Sequence, residues 1–177
     1  MEFFDAVKRR RTCRNFTSKS VDESLVARLL YAGSRAPAAG NRSTRIFLVI
    51  RDTKILDMIT AVSPGYLTRA PLAIFICSDY SRGLNMSDWR RDFVAAHDTG
   101  CAAENIALAA VALGLGSCFV KAFSEVALKQ ILKIPDHIKI QIMIAIGYPD
   151  HANAKTVKRE PEPIFLNQFG HGWNRES

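Results

Sequence analysis

The chain has 177 residues, 48% of them hydrophobic and 23% charged, a composition that supports one ordinary core and excludes a disordered chain. Its 24 basic and 17 acidic side chains leave a net charge of +7, which favours phosphorylated or polyanionic partners without naming one. No apolar run reaches the roughly 18 residues of a membrane span, and no signal-peptide pattern opens the chain. The four cysteines, Cys13, Cys77, Cys101 and Cys118, are too scattered for a structural zinc site or a disulfide framework. A cytoplasmic protein with reduced thiols is the expectation.

Met1 to Arg10 reads as a short helix with Phe3, Phe4 and Val7 on one face. It runs into KRRRTCRNF, Lys8 to Phe16, five cations in nine residues. Arg10, Thr12 and Arg14 alternate, so an extended backbone projects them to one side. Two guanidiniums around a hydroxyl suit a phosphate; a solvated charge run is the other reading. Cys13, among these arginines, is either a thiol of lowered pKa or a passive one.

Ser20 and Glu23 form a capping-box pattern ahead of a helix carrying Leu25, Val26, Leu29 and Leu30, which ends between Gly33 and Pro37. In APAAGNRST, Ala36 to Thr44, Pro, Gly and Asn mark a fixed turn, and small Ala38, Ala39 and Gly40 let backbone approach a flat ligand. A plain connecting loop is the alternative. Arg45 to Arg51 and Leu72 to Ser78 are continuous apolar runs, expected as strands covered on both faces. Between them Asp52 is placed to cap a short helix that Ser63 to Tyr66 interrupts.

The longest helix is expected from Ser87 or Asp88 to about Leu113, with alanines nearly all round its second half, as in a central helix that neighbours approach closely. His97 and Asp98 within it have no partner identifiable from sequence, and the histidine reads as structural. GLGSC, Gly114 to Cys118, is no dinucleotide fingerprint, because Phe119 stands at the third glycine position and a helix precedes it. Gly114 suits a helix end, and Gly116 a close backbone approach. A short strand through Val120, a helix from Ser124 to Leu132 and a strand with alternating Ile140, Ile142, Ile144 and Ile146 follow. A second basic cluster, Lys155 to Pro163, precedes an apolar arm of Ile164, Phe165, Leu166, Phe169 and Trp173. Without repeat or linker, residues 1–177 read as a single α+β domain.

In this order the motifs resemble the nitroreductase family of FMN-dependent oxidoreductases. The family's R-x-[ST]-x-[RK]-x-F is matched by Arg10, Thr12, Arg14 and Phe16, and its P-[SA]-x-x-N turn by Pro37, Ala38 and Asn41. Ala70-Pro71 opens the second strand, a small-residue helix runs into Gly114 to Cys118, Gly147 to Pro149 ends the last strand, and Arg159 to Pro161 gives the C-terminal R-x-P. The family fold implied is a central mixed, mostly antiparallel sheet flanked by helices, with the C-terminal arm exchanged in a homodimer.

The resemblance implies that Arg10, Thr12 and Arg159 hold the FMN phosphate. Arg14 would lie at the pyrimidine edge, where a cation stabilises reduced flavin. The backbone N–H of Lys121 would reach flavin N5. Pro37, Ala38, Ala39, Asn41, Gly116, Ser117 and Ala122 complete the implied cofactor contacts, with the turn at Pro37 to Asn41 coming from the partner subunit. No side-chain nucleophile and no metal is implied, since flavin N5 is the reactive centre. The activity implied is ping-pong hydride transfer from NADH or NADPH to a nitroaromatic, quinone or related small acceptor. Dehalogenation or azoline oxidation on the same fold, and flavin storage without turnover, are the alternatives; nucleic-acid binding would rest on charge alone. Three departures stand out: Ser43-Thr44-Arg45 where many members carry Q-P-W, Lys121-Ala122-Phe123 where Gly-Gly-Phe is common, and either Lys155 or Lys158 for the second lysine often seen just before the C-terminal arginine. The Lys121 side chain is expected near the pocket.

Overall fold

The apolar runs of the sequence become the middle of a four-stranded sheet. The structure is a computed structural model that describes residues 1–66, 69–82, 86–150 and 162–172. Lys155, Lys158, Arg159 and Trp173 lie outside the described residues. In chain order the elements are α1 (Phe3–Arg9), α2 (Glu23–Ser34), β1 (Arg45–Ile50), α3 (Thr53–Ala61), β2 (Leu72–Asp79), α4 (Asp88–Ala112), β3 (Gly116–Val120), α5 (Glu125–Leu132) and β4 (Ile138–Gly147). The sheet runs β1-β2-β4-β3, with every neighbouring pair antiparallel. A single parallel bridge, Thr12 to Ser117, adds to the outer edge of β3. This is the expected α+β, mostly antiparallel arrangement.

Two cores lie on opposite faces of the sheet. All eight residues of β2 are buried. Ala73, Phe75 and Cys77 face one core with Leu56 and Ile59 of α3 and Leu128 of α5. Leu72, Ile74 and Ile76 face the other with Val26 and Leu29 of α2 and Ile106 of α4. Each fully buried side chain of this size stabilises by about 1.5–3 kcal/mol, so the two central strands hold the fold. Small residues on α4 (Ala102, Ala103, Ala107 and Ala110, all buried) let that helix lie close to α2 and the sheet.

Several expectations need correction. β1 is not covered on both faces: it is an edge strand in which only Ile50 is buried. The isoleucines of β4 do not share one face. Ile76 of β2 pairs with Ile142 but Cys77 pairs with Ile140, so Gln141 is an extra residue in β4. Ile140 consequently joins one core, while Ile142, Ile144 and Ile146 join the other. The capping box at Ser20 does not form, because the helix starts later, with Asp22 as N-cap and no side-chain cap. In α1, Ala6 is the buried residue, and Phe3, Phe4 and Val7 are exposed.

Other local signals hold. Asp52 caps α3, its Oδ1 accepting from the Ile55 N–H at 3.0 Å. Beyond the C-cap Leu113, Gly114 adopts φ +75°. The N–H of Leu115 reaches Ala110 O at 2.8 Å and that of Gly114 reaches Val111 O at 3.0 Å. This is a Schellman turn, which needs the left-handed conformation that glycine adopts freely. It delivers the chain into β3 at Gly116, over which the N-terminal segment crosses. A Cβ on Gly116 would lie 2.7 Å from both Cβ and Sγ of Cys13. Gly116→Ala is therefore expected to push Cys13 away and cost about 1–3 kcal/mol, as overpacking does. Urea unfolding measures it; unchanged stability would mean that the N-terminal segment is not held against β3.

Candidate functional site

The basic segment after α1 is extended, and backbone pairing fixes its course. The Cys13 N–H donates to Ser117 O at 2.8 Å, the Thr17 N–H to Tyr148 O at 2.9 Å and the Asp150 N–H to Asn15 O at 2.9 Å. Phe16 bridges Pro149. Alternation then turns Cys13 inward against Gly116 and leaves Thr12 and Arg14 exposed. Arg10 is more enclosed, and its Nε lies 3.3 Å from Glu104 Oε1 of α4. Glu104 thus holds one edge of the guanidinium. Among the described residues, nothing accepts from the two terminal nitrogens, which keep donors for an anion. Arg14 is close enough to the Cys118 thiol to favour its ionised form, although burial still raises that pKa overall.

Cys13 is the passive thiol of the two readings. Burial pushes its pKa up, and the Asn15 carbonyl contact and the Arg11 charge do not offset that. A raised pKa is the wrong direction for a nucleophile.

The turn at Pro37 to Asn41 is clamped to α4 by two residues. The Ala39 N–H donates to the Asp98 carboxylate, at 3.2 Å to Oδ1 and 3.1 Å to Oδ2. Arg45 donates to three carbonyls: Nη1 to Pro37 O at 2.6 Å and Asp98 O at 2.9 Å, and Nη2 to Ala36 O at 2.7 Å. Gly40 at φ +59° and Asn41 at φ +56° are both left-handed, and the Arg42 N–H closes on Ala39 O at 3.2 Å. Consecutive left-handed residues select Gly-Asn. Asp98, partnerless in the sequence, has its partner here. His97 remains structural, its Nδ1 2.7 Å from Phe93 O. Because Ala39 spends its N–H on Asp98, of the expected turn contacts it is not a free donor.

The turn and the cationic segment are not brought together within one chain. Asp98 and Glu104 are six residues apart on α4, which is about 9 Å along the axis and about 120° around it. The cationic segment and the stretch after β3 do share an edge. Thr12 sits opposite Ser117, and Lys121 lies four residues further along, roughly 13 Å at about 3.3 Å per residue. Among the described residues, nothing accepts from the backbone N–H of Lys121 or Ala122. The same stretch is anchored otherwise: Gly65 N–H donates to Ala122 O at 3.1 Å, and Ser124 N–H to Val62 O at 2.8 Å.

The Lys121 side chain does not point where the sequence placed it. Its Nζ donates to the Gln141 carbonyl at the β4 bulge. Burial lowers its pKa, Lys139 adds to that, and Glu125 opposes both. Gln141 Nε2 in turn donates to the Tyr80 hydroxyl at 3.3 Å, and that hydroxyl donates to Asp92. Burial first, and then the Asp92 bond, push the Tyr80 pKa up to about 12. Sequence reasoning missed Glu104 and the Gln141 bulge, and named Asp98 without its partner. Of the two missed, only Glu104 left a signal, a charge in an otherwise alanine-rich stretch. No cluster of metal-ligating side chains occurs among the described residues.

Residues 7–64 and 60–148 match the Nitroreductase family, and the chain belongs to that family. It is 29% identical over 175 residues to a protein of Methanothermobacter thermautotrophicus named NADH dehydrogenase/NAD(P)H nitroreductase, covering 96% of this chain and 88% of that one. A protein of the same name from Archaeoglobus fulgidus is 32% identical over 146 residues, 79% of this chain and 81% of its own. The fold matches the structure of an FMN-dependent nitroreductase from Clostridium difficile with TM-score 0.77 at 25% identity, over 94% of this chain and 99% of that chain.

The clamp on the turn is open to test. Lysine cannot span three carbonyls, so Arg45→Lys is expected to lose about 1.5–3 kcal/mol, the scale of charged hydrogen bonds. Amide hydrogen exchange should accelerate at residues 39–42 and stay slow in β2. Wild-type exchange at the turn would mean that Arg45 does not hold it.

Proposed function

We propose that this protein is an FMN-dependent oxidoreductase that passes hydride from NADH or NADPH to a small organic acceptor such as a nitroaromatic or quinone. The observation that carries this reading is the edge of β3. A cationic, hydroxyl-bearing segment lies at one end, and two backbone N–H groups without protein acceptors lie roughly 13 Å away at the other. An extended molecule with an anionic phosphate at one end and an acceptor nitrogen in a flat ring at the other suits that edge. When bound, FMN supplies a centre that accepts and returns a hydride.

The residues' tasks follow from their chemistry. Arg10 and Thr12 hold the phosphate, and Arg159, outside the described residues, joins them on the family motif. Arg14 places positive charge where the reduced ring carries negative charge. The N–H of Lys121 donates to the ring nitrogen that takes the hydride, and Gly116, Ser117 and Ala122 supply backbone along the same edge. The turn of Pro37, Ala38, Ala39 and Asn41 packs on the ring from the partner subunit. Related flavin reactions on this fold, dehalogenation and azoline oxidation, use the same cofactor contacts and differ in the acceptor.

Two features support a homodimer. The turn and the cationic segment belong to different faces of α4, so two chains bring them together where one does not. Apolar side chains also stand in water in the single chain: Phe3 and Phe4 of α1, and Ile164, Phe165, Leu166 and Phe169 of the arm, the last 92% exposed. Crossing of that arm to the partner would cover them. Deleting residues 164–177 is expected to give monomer and to lose FMN in the same step. Light scattering with flavin content reads both; a truncated dimer that keeps its flavin would end the arm's role.

Binding of FMN and riboflavin, compared in one series, tests the site. Arg10→Ala is expected to weaken FMN about ten- to a hundredfold, the loss of one charge-assisted bond. Riboflavin, lacking the phosphate, should bind both proteins alike. Arg14→Ala in the same series should lower the reduction potential of bound FMN. An equal loss for both flavins would show that Arg10 does not hold the phosphate, and failure to bind FMN at all would remove the function proposed.

A further inference from the structure

Strand β3 leaves the sheet one residue before it would meet the bulge in β4. Its last ladder pair is Val120 with Met143. On the other side of β4, β2 skips Gln141, pairing Ile76 with Ile142 and Cys77 with Ile140. The Gln141 carbonyl therefore faces no partner residue in either neighbouring strand, although the residue is buried. An unpaired buried carbonyl is costly, and the Lys121 ammonium takes the place of the missing strand. Glu125 secures the adjoining backbone, its Oε1 accepting from the Ile140 N–H at 3.2 Å, and itself pairs with Lys139 at 2.8 Å.

We infer that Lys121 is a positioning residue. By gripping the Gln141 carbonyl it fixes the direction in which the chain leaves β3, and so aims the backbone N–H groups of Lys121 and Ala122 at the flavin. This rests on the flavin site proposed above. The neighbouring bonds agree with it, because the stretch is pinned on its other side by Ala122 O to Gly65 and by Ser124 N–H to Val62. A segment pinned on both sides, with its two donors left free, is preorganised for an acceptor. Where the family commonly has glycine, this chain carries a side chain that turns away from the edge and works from behind the backbone. Gly-Gly would give the same N–H groups without the restraint.

The test uses Lys121→Met, which keeps the stem and loses the donor, and Lys121→Arg, which restores a cationic donor. The amide signals of residues 121 and 122 are followed by NMR in protein freed of flavin and on addition of FMN, with turnover measured separately. In wild type both signals should be single and shift with FMN. In Lys121→Met they should split or broaden before FMN is added, kcat should fall about tenfold, and FMN affinity should change less than threefold. Lys121→Arg should recover the single signals and bring kcat within threefold of wild type. Sharp wild-type signals and full kcat in Lys121→Met would overturn the positioning role. Wild-type amides that ignore bound FMN would instead overturn the flavin contact on which it rests.

Discussion

Strand β2 is buried on both faces and β4 along most of its length, and that constraint places everything else. A sheet with two dry faces offers no surface where a charged ligand could be recognised, because each polar group inserted there would need a partner. Polar chemistry is forced to the margins. At one margin β2 ends in buried Ser78 and Asp79, the latter tied to Ser81 and Arg82. At the other, β3 presents an outer edge that the N-terminal segment meets around Gly116 and Ser117, through Thr12 and Cys13. The proposed site occupies that second margin, where free backbone donors lie along the same edge as the cations of the N-terminal segment.

Helix α4 sets the spacing along the margins. Its small buried residues allow close approach to α2 and the sheet, so the few polar residues on its sides meet other segments at fixed heights. Asp98 holds the turn, Glu104 holds Arg10, and Asn105 donates to Ala32 O of α2 at 3.1 Å. The Schellman turn at Gly114 then redirects the chain into β3 beneath Cys13. A change in helix packing would move all of these contacts together, which couples the stability of the second core to the geometry of the site.

What was legible in the sequence was what depends on local chemistry. Continuous apolar runs gave strands, Asp52 gave its cap, Gly114 its helix end, and the order of motifs gave the family. What depends on the third dimension was not legible. Arg45 to Ile50 is as apolar as a central strand, and nothing in its pattern reveals that it lies at an edge. The isoleucine alternation of β4 continues through Gln141 although the backbone slips there, because a bulge changes facing without changing sequence period. For the candidate site, the cations were visible in sequence, but their partners were not. Glu104 lies 94 residues from Arg10, and Asp98 lies 59 from Ala39. Arg45, visible only as a departure from a motif, proved to be the clamp of the turn that the motif describes.

The pairing of Arg10 with Glu104 bears on how a strongly basic protein would keep the proposed anion site usable. Cations gathered in one short segment repel one another, and that repulsion opposes the folded arrangement until an anion arrives. A carboxylate fully engaged with the guanidinium would relieve the repulsion but would also occupy the site. Glu104 contacts Nε at 3.3 Å and is itself half exposed, so the pair is weak and leaves the terminal nitrogens available. Water screens the remaining interaction between Glu104 and an incoming phosphate. The guanidinium is thereby oriented before binding, and little ordering entropy remains to oppose capture of the anion. In the proposed site the acidic residue is thus part of the socket, fixing the direction of a cation whose charge alone would leave it free to swing.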